Sequence, residues 1–386
     1  MAEQVERLGS EYEIHVYSNR VADVDLSRVT WHRVPALPGP HLFAYCWWVL
    51  ANHLQRWRDA RFRNMLSELV YSPGINCFDA DVISVHMVFS EYRERMRPTL
   101  ALGANPLGWP RRLHRRLYYG LLAALEKSVY TGNGALLTAV SAKAADDLKR
   151  YGRAPSQVPV IPHGIDVQRF HPDNRRSLRE SARRELVLDG GDFCLLLIGN
   201  DWMNKGLDCL LKALVRLPSS VRLFAVGSDD IDPYRAAASR LQGRNRVRFL
   251  APRADVEFYY AAADLYVGPS LQDAFGLPPL EAMACGVPAI VSSQAGVSEI
   301  ITHGTDGFIL DDPRDSARLA ELIDLLHRND NLRKRMSEAA AQTARKYTWE
   351  RNAQQLGHLF KQVLRRKGIA RPQACMERDQ AEEAAI

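Results

Sequence analysis

Between residues 193 and 311 short apolar runs alternate with amphipathic stretches, a rhythm that restricts the chain to an α/β architecture with parallel strands. The strand-like runs are 193–199 (FCLLLIG), 221–227 (VRLFAVG), 247–251, 264–270, 288–293 and 307–311. Helical patterns fill the intervals near 206–216, 232–242, 254–262, 278–285 and 313–328. Together they predict one complete doubly wound domain. The first half follows the same scheme less regularly. Its strands are expected at 12–18, 29–34, 81–87, 136–141 and 158–162, with long helices at about 42–66 and 111–130. A chain of 386 residues exceeds one ordinary core, so two domains are expected, 1–164 and 165–349. The boundary is set where VIPHGIDVQRFHPDNRR turns polar. A helix over 350–366 is expected to pack back on the first domain, and the tail 368–386 to be disordered.

Composition narrows the class further. No apolar run reaches the length of a spanning helix, and the polar start MAEQVERLGSEYE lacks a signal core, so a cytoplasmic protein is expected. The six cysteines have no CxxC spacing and read as reduced core residues. The formal charge of +6 favours anionic partners such as phosphates or acidic lipid heads. No nucleic-acid-binding module is recognisable. Four arginines at 111, 112, 115 and 116 form a basic stripe. With Trp47, Trp48 and Trp57 they make an anionic membrane surface a candidate partner. A helix that packs its aromatics inward and solvates its arginines is the plainer alternative.

The most informative stretch is QDAFGLPPLEAMACGVPAIVSS (272–293). An acid precedes a Phe-Gly-Leu turn, and Pro278 and Pro279 open a helix, where a missing N–H costs nothing. The amides of Phe275, Gly276 and Leu277 then stand at the positive end of a helix, a ready anion site. Asp273 and Glu281 flank that hollow, and Glu281 can accept hydrogen bonds from a diol. A second site lies in LLLIGNDWMNKGLDCLLKAL (195–214): a strand ends at Gly199, and Lys205-Gly206 opens a helix where a lysine can neutralise a diphosphate. Weaker candidates are Arg253 after a strand, and Ser270 and Gly296 at strand ends. In the first half, DADVISVHMVF ends a strand in His86, and His163-Gly164 stands at the expected crossing between domains.

Asp273 and Glu281, seven residues apart around AFGLPPL and followed by EAMACGVP, resemble the E-x7-E motif of glycosyltransferase family 4. The resemblance implies a GT-B fold, two Rossmann-like domains facing an interdomain cleft. It implies transfer of a sugar, with retention, from a nucleotide-diphosphate sugar to a glycan or lipid-linked acceptor. By the same resemblance Glu281 is the ribose ligand and Asp273 the sugar ligand, and the turn amides help hold the diphosphate or sugar. Lys205 sits on the diphosphate, His86 lies beside the sugar and acceptor, and Arg253 stands near the nucleobase. Two positions depart from the family: Asp273 replaces the usual Glu, and Asn200 stands where an Arg accompanies the Lys. No cofactor or metal is expected, for want of DxD-like spacing and of a His/Cys cluster.

The family usually begins with a strand and a Gly-rich loop. Here MAEQVERLGSEYEIHVYS reads as the end of the first helix followed by the second strand. The first strand is expected to be missing, leaving an edge or a gap in the N-terminal sheet. Two rival readings share the fold: a nucleotide-sugar epimerase, or a phosphorylase using pyridoxal phosphate. A non-catalytic nucleotide-sugar-binding scaffold is a third, favoured by Asn200, Asp273 and the missing loop.

Overall fold

A computed structural model describes residues 2–63, 65–96, 109–132, 134–241 and 246–369. The expected disordered tail lies outside the described residues from 370 onward. The chain divides into two compact units. One comprises Met1–Val140, Ala144–Pro162 and Trp349–Ile386; the other comprises Ser141–Lys143 and His163–Thr348.

The first unit runs α1 (Ala2–Leu8), β1 (Ile14–Ser18), β2 (Val29–Arg33), α2 (His41–Phe62), β3 (Tyr71–Pro73), β4 (Val82–Val85), α3 (Phe89–Arg95), α4 (Trp109–Thr131) and β5 (Leu136–Ala139), and then enters α5 (Ala142–Asp147). Its strands are all parallel but form two sheets, β1-β2 and β3-β4-β5, with no pairing between them among the described residues. A cavity of about 620 Å³ is lined by every residue of β1 and of β3, together with Leu8, Trp48 and Phe360. The cavity lies beside β1 and β3, which share no ladder among the described residues.

The second unit contains α6 (Pro172–Glu185), β6 (Phe193–Ile198), α7 (Leu207–Leu214), β7 (Val221–Val226), α8 (Asp232–Ser239), β8 (Val247–Leu250), α9 (Glu257–Ala262), β9 (Leu265–Gly268), α10 (Leu277–Ala284), β10 (Ala289–Ser292), β11 (Gly307–Leu310), α11 (Ser316–Arg328) and α12 (Asp330–Ala344). The chain then returns to the first unit as α13 (Trp349–Arg366), which packs on α1. Gln4 donates to Asn352 at 2.8 Å across that contact, and Leu8, Leu356 and Phe360 share one apolar cluster.

The second sheet has the order β11-β10-β9-β6-β7-β8, parallel throughout. Its central strands are buried on both faces, which is why they read as unbroken apolar runs such as CLLL. From β6 the chain builds outward through β7 and β8, then crosses back so that β9 lies on the other side of β6. The order reverses there, and ligands of such sheets bind beyond the strand C-termini at that reversal.

Three elements differ from expectation. Residues 158–162 form only an isolated bridge, Val160 with Ala139, because Pro159 and Pro162 cannot donate to a ladder. The short strand β3 ends in proline and carries no alternation long enough to read. The last residues of the polar segment 160–176 open a helix, α6, begun by Pro172 and capped by His171, whose ring accepts from the Asp173 amide, while the division between the units falls at Pro162/His163 in the same segment.

Gly206 fixes the entry to α7. It has φ +78°, and a Cβ there would lie 2.0 Å from the Pro269 carbonyl oxygen after β9. Gly206→Ala is expected to cost about 2–4 kcal/mol of stability. Denaturant unfolding checks this; a midpoint unchanged from wild type contradicts the packing described.

Candidate functional site

The reversal between β6 and β9 brings two loops together. The loop after β6 carries Asn200 and Lys205, and the loop after β9 carries Asp273 through Leu277. Lys205 Nζ meets Asp273 Oδ2 at 2.5 Å, 68 residues apart in sequence. Both side chains are less than one-fifth exposed, so this ion pair is only partly screened. Asn204 locks the crossing: its carbonyl accepts from the Leu271 amide at 2.7 Å, and its side chain donates to the Gln272 carbonyl at 2.8 Å. Gly199 is required beside them, since at φ +136° a Cβ would press on the Lys205 stem at 3.0 Å.

The loop after β9 is held from its other side by residues after β10. The Asp273 amide donates to the Gln294 carbonyl, the Gly296 amide to the Asp273 carbonyl, and the Val297 amide to the Phe275 carbonyl. Gly296 packs so closely that a Cβ would lie 2.2 Å from the Ala274 carbonyl oxygen. Ser141 Oγ donates to that same carbonyl at 2.7 Å. Gly296 is thus a close-approach glycine, and Ser270 is buried, its carbonyl accepting from Ser292 Oγ.

Gly276, at φ +94°, turns the chain into α10, and Pro278 and Pro279 fill the first turn. The first amides of a helix have no intrahelical acceptor, so Leu277 and its neighbours concentrate positive potential there. Phe275 contributes only backbone, for its ring is buried edge-on against His163 at 5.3 Å. Glu281 stands one turn into α10 and accepts from the Tyr260 hydroxyl at 2.6 Å. Burial pushes the Glu281 carboxyl above its ordinary range, while Tyr260 and Arg169 oppose that shift. Burial raises the Tyr266 hydroxyl, and the Asp273 and Glu281 carboxylates raise it further.

Arg253 and Asn200 both have protein partners. Arg253 is engaged by Glu185 at 2.7 Å and by Asp255 at 2.9 Å, and it lies 4.0 Å above the Phe258 ring. Two carboxylates and a ring hold its guanidinium in place. Asn200 accepts from the Ser228 amide at 2.8 Å and so ties two loops together.

In the first unit, His86 follows β4 directly, and burial lowers its ring to about 4, so it is neutral at pH 7. A His/Cys cluster, not foreseen from sequence, also occurs there: ligand atoms of His53, Cys77 and Asp79 lie within 4.8 Å of one another. Arg56 binds both Asp79 oxygens at 2.8 Å and Cys77 Sγ at 2.7 Å. Burial lifts the Cys77 thiol to about 11. Burial of Asp79 is outweighed by Arg56, which brings its carboxyl to about 2. The guanidinium therefore occupies the cluster and the thiol stays protonated.

Residues 1–169 match the family described as Glycosyltransferase Family 4, and residues 179–343 match Glycosyl transferases group 1. The chain belongs to glycosyltransferase family 4. Among curated proteins it is similar to D-inositol 3-phosphate glycosyltransferase of Xylanimonas cellulosilytica, 28% identical over 63% of this chain and 60% of that one. It is similar also to the lipopolysaccharide glucosyltransferase WaaG of Escherichia coli strain K12, 30% identical over 53% of this chain and 56% of that protein. The chain thus matches about three-fifths of the length of these relatives. The crystal structure of WaaG superposes with TM-score 0.72 at 22% identity, covering 92% of this chain and 94% of that one. Sucrose-phosphate synthase from Thermosynechococcus elongatus gives 0.74 at 20% identity, covering 94% and 92%. The fold is GT-B.

For this family-4 chain, Asn200, Lys205, Asp273, Phe275, Gly276, Leu277 and Glu281 all lie around the β6/β9 reversal or at the start of α10. Sequence reading missed Asn204, Gln272 and Tyr260, because each acts through a tertiary partner. Replacing Asp273 by Ala releases the Lys205 cation. Turnover is expected to fall at least about tenfold, with nucleoside-diphosphate affinity kept within about threefold. Steady-state kinetics with competitive nucleotide inhibition checks this; equal losses in both would contradict separate roles.

Proposed function

We propose that this chain is a retaining glycosyltransferase that takes its sugar from a nucleotide-diphosphate sugar bound in the second unit. The observation that carries the reading is the Lys205–Asp273 pair at the sheet's reversal point, beside the amino end of α10. Lys205 and the turn amides of Phe275, Gly276 and Leu277 meet the diphosphate, Asp273 the sugar, and Glu281 the ribose hydroxyls. The complex of Anabaena HepE with UDP-glucose, a structural neighbour of TM-score 0.60, supports a donor of this class. The acceptor hydroxyl attacks the anomeric carbon on the side from which the diphosphate leaves. One carbon–oxygen bond forms as the bond to diphosphate breaks, and the acceptor proton passes to the departing phosphate. The protein supplies positioning and charge stabilisation.

A thermal-shift screen against UDP, GDP, ADP and dTDP sugars tests this, since a ligand that binds only the folded state raises its melting temperature. At least one should stabilise the protein, and Glu281→Ala should abolish most of that shift. A wild-type shift in the Glu281→Ala variant contradicts the ribose assignment.

We propose further that the acceptor is lipid-linked and that α2 rests on an anionic membrane surface. None of the helices among the described residues is long and apolar enough to cross a membrane. Yet Phe43, Trp47, Leu50, Leu54 and Trp57 recur at steps of four and three on α2, and all are exposed. Arg58 and Arg61 are exposed on the same helix, while its one acid, Asp59, is buried beside His32 at 3.2 Å. Apolar aromatics with cations and no exposed acid match an interfacial helix. The stripe differs from the one expected: Trp48 turns inward to line the cavity, and the side chains of Arg111 and Arg112 lie outside the described residues. Cosedimentation with phosphatidylglycerol vesicles should exceed that with phosphatidylcholine and be lost in Leu50→Glu/Trp57→Glu. Equal binding to both lipids, or an unaffected variant, contradicts the proposal.

A further inference from the structure

Tyr260 is completely buried on α9, yet its hydroxyl spends its one proton on a carboxylate of the candidate site rather than on a backbone carbonyl. The bond to Glu281 Oε2 is 2.6 Å, a length typical of a charge-assisted O–H···O⁻ contact. The Tyr260 ring is fixed edge-on by Phe170 at 5.8 Å. Burial first, and then Glu281, raise the phenol well above its ordinary range, so it remains a donor at any working pH. Arg169, which also acts electrostatically on Glu281, is engaged by Glu257 at 2.6 Å and by the Ala254 carbonyl. The described direct hydrogen-bond partner of the Glu281 carboxylate is thus Tyr260.

A glutamate free to rotate about its last torsion offers a diol two equivalent oxygens in many orientations. One anchored by a rigid phenol offers one oxygen in one plane. We propose that Tyr260 is a positioning residue for ribose recognition: it holds Oε2 of Glu281 so that Oε1 accepts from the ribose hydroxyls. The inference rests on the reading of Glu281 as the ribose ligand. It assigns to α9, which need not touch the nucleotide, part of the selectivity for ribonucleotides.

The test is the affinity ratio of a nucleoside diphosphate to its 2′,3′-dideoxy form, measured by calorimetry with UDP, GDP and ADP and their dideoxy counterparts. The wild-type protein should favour the ribonucleotide, and Glu281→Ala should bring the ratio near one. Tyr260→Phe should lower the ratio about three- to tenfold while leaving dideoxynucleotide binding unchanged. Equal weakening of both forms would mark Tyr260 as merely structural and overturn the inference, as would an unchanged ratio. A wild-type ratio in Glu281→Ala would instead overturn the ribose reading itself. Should Tyr260→Phe fail to fold, Glu281→Gln carries the test. Tyr260 keeps the amide oxygen and turns the NH₂ toward the ribose, where a neutral donor replaces a charged acceptor, so the ratio should fall below half the wild-type value. Retention of more than half the wild-type ratio would overturn the inference.

Discussion

The ion pair between Lys205 and Asp273 depends on the strand order around it, and the rest of the second unit is arranged to make it possible. Two residues 68 positions apart meet because β9 returns to lie beside β6. Neither loop could approach the other so closely without glycines. Gly206 lies against the Pro269 carbonyl, Gly199 against the Lys205 stem, and Gly296 against the Ala274 carbonyl. Each gives up side-chain packing to let backbone meet backbone. The buried Asn204 side chain, donating to the Gln272 carbonyl, then holds the two loops in register. A cation, a carboxylate and a helix amino end are thereby gathered beyond one edge of a rigid sheet.

Much of the second unit was legible in the sequence. Parallel strands buried on both faces leave apolar runs that no helix period imitates, and all six appear where expected. The pair Asp273 and Glu281 was legible too, because the turn and the helix start between them are local features. What escaped was tertiary. The contact of Arg253 with Glu185, 68 residues away, leaves no local sign in the sequence. Tyr260 looks like any aromatic in an apolar helix until its hydroxyl is seen on Glu281. The cluster of His53, Cys77 and Asp79 is spread over three segments, and only folding shows that Arg56 fills it.

The first unit was less legible for a different reason. Its strands are short and its sheet is split, so no continuous hydrophobic wall imposes a pattern on the sequence. The cavity along β1 and β3 marks where two strand edges lie without a shared ladder. Such edges are normally paired or covered. Here α1 and α13 contribute Leu8 and Phe360 to its lining instead.

The proposed phosphate site is one place, where Lys205, Asp273 and the turn amides of Phe275, Gly276 and Leu277 converge. A crystal structure of the protein with a bound nucleoside diphosphate tests it most directly. Phosphate oxygens are expected within hydrogen-bonding distance of Lys205 Nζ and the amides of Phe275, Gly276 and Leu277, with Lys205 drawn away from Asp273. Nucleotide bound elsewhere, with the Lys205–Asp273 contact intact, would contradict it.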